Sequence, residues 1–445
     1  MEFISERIHN IPTTRKIIYG FVILIFIGAL LLYSPIATNS GQPTTTFFEA
    51  LFTSTSATCT VGLVLFDTYT HWSLFGQIVI LILTQIGGFG FMTFAIYLTT
   101  FTNRKIGLYN RSMMQTSIAA PHIGGIVKTT KFIFKAMICL ECAGALLLSI
   151  YFIPKFGIAR GIYFAIFHSI SSVSNAGFDL MGIVEPNSSL MTARNNILVN
   201  FVVIALGVIG GLGLFVWSDI VKCKFKRKNF TLHTKIVLTT TFILITSGTI
   251  LFYIFESVNG KWIDNILPSF FQSAMAGTCG YTTVDVNQYT ESSKLLLLIL
   301  MTIGASPGST AGGIKTTTLA VLVISVISIF KKRKNIECFR RRIDDDIVRR
   351  SACVATVFFA LIIFSAMAIS SIDGLPMLPV LLETSSAISS GGISIGITPQ
   401  LSRASAVIIM FLMFFGRFGT ITFLLAFSPF KSNSVYMLPA EKIQL

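Results

Sequence analysis

Long apolar runs alternate with short polar connections along almost the whole chain. Eight runs suit a hydrocarbon core of about 30 Å crossed at about 1.5 Å per residue: residues 17–33, 74–100, 132–153, 196–218, 236–255, 295–330, 351–370 and 404–428. Within each successive pair lies a semi-apolar stretch that ends in a glycine-bearing turn. These are FFEALFTSTSATCTVGL (47–63), YFAIFHSISSVSNAGFDL (163–180), SFFQSAMAGTCGYTT (269–283) and LPVLLETSSAISSGGISIG (378–396). Too short to span, they are predicted to be re-entrant half-helices.

Superimposed on Gly62, Gly177, Gly280 and Gly392, the four stretches agree by position, as internal repeats should. Phe52, Phe167, Phe270 and Leu382 stand ten residues before the glycine; Leu63, Phe178, Tyr281 and Ile393 stand one after. The following run carries IGGFG (86–90), IGGLG (209–213), IGASPG (303–308) or FGRFG (415–419). The predicted fold is an all-α integral membrane protein of four pseudo-repeats: 17–100, 131–219, 235–330 and 350–428. Each comprises a helix, a pore half-helix with its turn, and a second helix, giving eight full spans around one central pore.

Composition agrees with this class: 53% hydrophobic and 12% charged residues exclude disorder and a cytosolic enzyme, since soluble domains are about 25% charged. The net charge of +15 reflects topology rather than nucleic-acid binding. Basic residues number 3 in 1–16, 6 in 101–135, 6 in 222–235, 9 in 331–350 and 2 after 430. The opposite connections hold only Lys155, Arg160, Arg194, Lys261, Lys294 and Arg403. Both termini are therefore expected in the cytoplasm, the first run being a retained span. Seven cysteines, mostly in apolar segments, read as reduced. Five scattered histidines and the absence of HExxH or GxSxG offer no catalytic constellation, and none of the chain suggests a resident cofactor.

The chemistry lies in the turns. A half-helix that enters and turns back places the negative end of its dipole near mid-membrane, and the extended backbone leaving it presents carbonyl oxygens that replace a cation's hydration shell. Glycine supplies the positive φ that aims them. The expected cation ligands, mainly backbone carbonyls, are Thr60, Val61 and Gly62; Asn175, Ala176 and Gly177; Thr278, Cys279 and Gly280; and Ser390, Gly391 and Gly392. Uncharged oxygens suit K⁺ or Na⁺ better than divalent ions. For one glycine alone, close helix packing is the rival explanation; helix packing or kinking is the better one for GVIGGLG (207–213), which lies in an apolar span with no dinucleotide-binding context. Asp67, Asp179 and Asp285 follow the first three glycines and would form an acidic mouth, or serve as solvated loop acids; the fourth repeat has no such carboxylate.

The third repeat's second run, Leu295 to Phe330, is interrupted by Gly304, Ala305, Ser306, Pro307, Gly308, Ser309, Thr310, Ala311, Gly312 and Gly313. That segment cannot stay helical and is predicted to be a flexible gating loop below the turns, with a static kink as the alternative. Arg417, at matching depth in the fourth repeat, needs a partner that the loop's freed carbonyls would provide, and its charge would oppose cations. Lys315 contributes to that barrier or snorkels to the interface.

Together the turns TVGL, NAGF, TCGY and SGGI and the GASPGSTAGG break resemble, over essentially the whole chain, the Trk/Ktr/HKT superfamily of potassium transporters, most nearly the membrane subunits of bacterial Ktr systems. The resemblance implies K⁺ uptake across a bacterial plasma membrane, glycine at all four filter positions being the family pattern for K⁺, with Na⁺ as a candidate activator. It also implies a homodimer with one pore per protomer, and a cytosolic, KtrA-like ring that binds the nucleotide and gates the loop. The basic loops 222–235 and 331–350 are candidate docking surfaces. The rival function is a secondary transporter of another small cation or solute, which would show two inverted halves rather than four parallel copies.

Overall fold

The computed structural model describes residues 13–90, 124, 126–258, 266–333 and 335–419. Both termini and the expected far ends of two spans, 91–100 and 420–428, lie outside the described residues. What is described is almost entirely helical. Four helices are long and apolar enough to cross a membrane unbroken: α1 (Thr13–Tyr33), α4 (Ile126–Phe156), α8 (Leu232–Ser257) and α12 (Asp345–Asp373). Four shorter ones precede the glycine turns: α2 (Phe47–Thr58), α5 (Ile158–Val173), α9 (Leu267–Ala276) and α13 (Met377–Ser389). Their starts are chemically marked. Thr46 and Glu49 close a capping box on α2, Pro268 sits in the first turn of α9, and Pro376 caps α13.

One device joins the long helix to the half-helix in three of the four units. Ser54 donates to Ile25 O at 2.7 Å, Ser169 to Glu141 O at 2.7 Å and Ser273 to Ile245 O at 2.8 Å. Three residues beyond each acceptor stands Gly28, Gly144 or Gly248, where a Cβ would come within 2.3–2.4 Å of the same serine oxygen. Small residues thus let the helices approach until a hydroxyl reaches the neighbouring backbone.

The second helices end at glycines. They are α3 (Leu74–Phe89), α6 (Ile197–Leu212) continuing into α7 (Leu214–Lys222), α10 (Glu291–Ile303) separated from α11 (Thr316–Phe330), and α14 (Arg403–Phe418). The helices α3, α6, α10 and α14 stop at Gly90, Gly213, Gly304 and Gly419, all with positive φ. At Gly213 the axis bends by 92°, so the expected span 196–218 is two helices. The last glycine of IGGFG, IGGLG and FGRFG therefore ends its helix, because a Cβ is disfavoured where φ is positive, while Gly87, Gly210 and Gly416 inside the helices let them pack against the backbone of Thr58, Val173 and Ile388. Between α11 and α12 lies a small hairpin, β1 (Ile336–Cys338) paired antiparallel with β2 (Arg341–Ile343).

Candidate ion path

Each half-helix is buried on its way to its turn, and all four turn glycines have positive φ: +91° at Gly62, +72° at Gly177, +72° at Gly280 and +70° at Gly392. A Cβ on Gly62 would lie 2.3 Å from Ala176 O; on Gly177, 2.3 Å from Cys279 O; on Gly280, 2.2 Å from Gly391 O; on Gly392, 2.3 Å from Val61 O. The contacts run from the first turn to the second, third and fourth and back to the first. Four turns far apart in sequence thus form a closed ring. The carbonyl preceding each glycine occupies the place where the previous turn's side chain would be.

The residues two before the glycines brace the ring. Thr60, Asn175 and Ser390 adopt φ of +53°, +53° and +52°, whereas Thr278 does not and instead donates to Ala274 O at 2.9 Å. Ser390 Oγ is buried with no hydrogen-bond partner among the described residues. Beyond the ring, Tyr281 Oη donates to Phe178 O at 2.7 Å, tying the third turn to the second.

On one side the ring opens into a cavity of about 180 Å³ lined by Asp67, Asp179, Asn187, Thr282, Ser394 and Thr398 among others. Asp67 accepts from Tyr69 N at 3.0 Å, Thr70 N at 2.8 Å and Asn187 N at 2.9 Å, so it joins the loops of the first two units. The Asp179 carboxyl is pushed up to about 7, first by burial and then by the charge of Asp67, with Met181 N–H pulling it back. Asp285 corrects the expectation of an acidic mouth: it is absent from this lining and caps a short turn through Asn287 N at 3.0 Å. A carboxylate unforeseen in the mouth, Glu383 on α13, bonds to the lining residues Ser394 and Thr398.

On the other side lies the segment 304–313. It turns back on itself, with Ile314 N bonded to Thr302 O at 3.1 Å and Thr316 N to Ala305 O at 3.0 Å. Gly304 and Gly313, with positive φ, are packed backbone to backbone, a Cβ on Gly304 falling 2.8 Å from the Gly313 Cα. Ser309 Oγ closes the tip onto Ser306 O at 2.6 Å. The segment is held against the turns: Thr310 bonds to Asn175 at 2.7 Å, Thr60 Oγ1 donates to Thr310 O at 3.1 Å, and a Cβ on Gly312 would meet Ser390 Oγ at 2.8 Å. It is also held to the α6–α7 elbow. Ser306 N and Oγ donate to Gly211 O at 3.0 and 2.9 Å, Leu214 N donates to Gly308 O at 3.0 Å, and Pro307 O approaches Gly213.

Arg417 finds the partners its depth demands. Its guanidinium donates to Thr310 O and Gly87 O, to Thr60 Oγ1 at 3.1 Å and to Gly88 O at 3.2 Å. Lys315 folds back onto the segment, its Nζ 2.6 Å from Ala311 O and 3.3 Å from Gly312 O. Glu141, an intramembrane acid with no partner evident in its own sequence neighbourhood, receives Gln85 Nε2 at 2.8 Å from α3.

Comparison with known proteins bears on this arrangement. The profile of a family described as TrkH, cation transport protein, matches residues 10–436. The potassium/sodium uptake protein NtpJ of Enterococcus hirae is 36% identical, with 100% of each chain covered. The Ktr system potassium uptake protein B of Bacillus subtilis is 36% identical over 94% of this chain and 93% of its own. Among solved structures, the potassium transporter TrkH of Vibrio parahaemolyticus superposes with a TM-score of 0.69 over 92% of this chain and 85% of its own. At 16% identity, that likeness is one of fold.

Proposed function

This chain belongs to the TrkH family of cation transport proteins, and on that premise we propose that it takes up K⁺ across a bacterial plasma membrane through the ring of four turns. The observation that carries the proposal is the closure of the ring: four glycines, each facing the carbonyl of the next turn. Carbonyls so fixed replace the water of a monovalent cation, and the half-helix dipoles favour its charge. The segment 304–313 is the gate, because it lies against three of the turns and carries the Arg417 guanidinium with it. The four copies enter from the same side, which favours a pore over two inverted halves of a secondary transporter.

The eight spans, the repeat boundaries, the cytoplasmic termini and a role for Na⁺ as activator belong to the same proposal. So does the assembly: a homodimer with a KtrA-like nucleotide-binding ring on the inner face. The Bacillus subtilis relative is by name one component of a Ktr system. The hairpin in loop 331–350 supports this docking role. Its two-residue tip, Phe339 and Arg340, has φ of +50° and +62°, a conformation that favours asparagine and glycine. Strain of that kind persists where a tip must present particular side chains, here an exposed aromatic ring and a guanidinium.

The test is Rb⁺ or K⁺ uptake in a potassium-auxotrophic bacterium, with Na⁺ as competitor, comparing the native chain with Gly62→Ser. The expected result is saturable, K⁺-preferring uptake whose preference is lost in the variant. Undiminished selectivity in Gly62→Ser would move the ion path away from the ring.

A further inference from the structure

Nine residues before the turn glycines the four repeats place Thr53, His168, Phe271 and Glu383. All are at most 2% exposed. Two of them reach the strand that leaves the turn. His168 Nδ1 lies 2.8 Å from Phe164 O, which leaves Nε2 to accept Leu180 N–H at 3.4 Å, three residues past Gly177. Glu383 receives Ser394 Oγ at 2.9 Å on Oε2 and 3.2 Å on Oε1, and Thr398 Oγ1 on Oε1. Ser394 also accepts Gly396 N at 2.9 Å.

Packing alone does not require an acid here, since Phe271 fills the corresponding place in the third repeat. Burying a carboxyl on a membrane half-helix is expensive and needs a return. Both hydroxyls donate to the Glu383 carboxyl, and the oxygen lone pairs of Ser394 and Thr398 that Gly396 N–H does not take are left for the cavity above the ring, which both residues line. A hydroxyl whose proton is held by a charged acceptor is the more polarised and the better cation ligand. We propose that Glu383 is a positioning residue for ion specificity: it orients Ser394 and Thr398 as oxygen ligands for a partly dehydrated monovalent cation waiting above the ring. It thereby supplies, from behind, the negative charge that the fourth repeat's outer strand lacks.

This inference rests on the reading of the ring as the ion path, and the test separates the two. K⁺ uptake is measured against external concentration in cells with matched membrane levels of the native chain, Glu383→Gln, Ser394→Ala with Thr398→Ala, the triple variant, and Gly62→Ser. The glutamine keeps the shape but donates a proton to one hydroxyl, turning that hydroxyl's own proton toward the cavity. The expected result is an apparent KM for K⁺ raised about tenfold in Glu383→Gln, with little change in maximal rate and a weaker preference over Na⁺. The alanine pair should show the same rise and the triple variant no more, because the acid acts through the hydroxyls. An unchanged KM in Glu383→Gln or in the alanine pair, or effects that add in the triple variant, overturns the inference. Should Glu383→Gln fail to reach the membrane, the alanine pair decides alone. If Gly62→Ser keeps its K⁺ preference, the pore reading fails instead, whatever Glu383 does.

Discussion

Arg417 illustrates what a single residue does at depth. Its guanidinium spans the segment 304–313 and α3 together, through Thr310 O on one side and Gly87 and Gly88 carbonyls on the other. In the proposed path a charge beneath the ring repels the cation, and in a poorly screened interior that repulsion reaches several ångströms. Arg417→Ala should therefore raise the K⁺ uptake rate about tenfold, equivalent to about 1.4 kcal/mol off the barrier. Arg417→Lys should fall between, because a point ammonium cannot reach both sets of carbonyls as the planar fork does. Equal rates for the three proteins at matched abundance would remove Arg417 from the gate. At the ring itself, Gly280→Ala adds a Cβ 2.2 Å from Gly391 O at a position of positive φ. The neighbouring turn must move, at a cost of about 1–3 kcal/mol, and K⁺ over Na⁺ preference in competition uptake should fall even where protein is retained.

At the scale of the element, the half-helices and their turns were legible because each is a hydropathy dip followed by a glycine, repeated four times. The positive φ at Gly62, Gly177, Gly280 and Gly392 follows the expectation made from glycine alone. The glycines of GVIGGLG were legible as packing or kinking positions, but the sharp elbow at Gly213 was not. A window of hydropathy averages across one residue, and the sign of φ leaves no mark on composition. Glu141 with Gln85 and Glu383 with Ser394 and Thr398 were hidden for another reason: their partners are brought near only by packing or by the return of the turn. Aligning the repeats one position further would have shown Glu383 level with His168. The elbow has a consequence for gating. Ser306 fastens the segment 304–313 to the carbonyls of Gly211 and Leu212. Ser306→Ala keeps the backbone bond from Ser306 N but loses the hydroxyl's grip, so K⁺ uptake should quicken severalfold while the K⁺ to Na⁺ ratio stays as in the native chain, since the ring is untouched. Deleting 304–313 should go further in the same direction. Slower uptake from either variant, with protein levels matched, would mean that the segment supports the path rather than closes it.

For the whole molecule the distribution of charge is as informative as the fold. In the proposed path the ring of neutral oxygens opens into a cavity bearing carboxyls, and the cavity's charge is adjustable because the Asp179 carboxyl is pushed up to about 7. The sign follows from its position. Below that value Asp179 is neutral; above it its carboxylate faces the ion. Uptake at limiting K⁺ should therefore rise between pH 6 and 8, through a falling apparent KM, while the rate at saturating K⁺ stays level because an occupied mouth already holds the carboxylate ionised. Stability runs the other way. A carboxyl raised from 3.8 to about 7 binds a proton in the folded chain that the unfolded chain has released, so this group makes the fold less stable as pH rises through that interval and adds no further slope above it. Asp179→Asn should remove the Asp179 share of both dependences, flattening the fall in KM with rising pH. Measuring K⁺ uptake kinetics at pH 6, 7 and 8 for the two proteins decides the matter: a native KM that ignores pH, or an Asp179→Asn variant whose KM follows pH as steeply as the native chain's, would remove Asp179 as the proton-sensitive group.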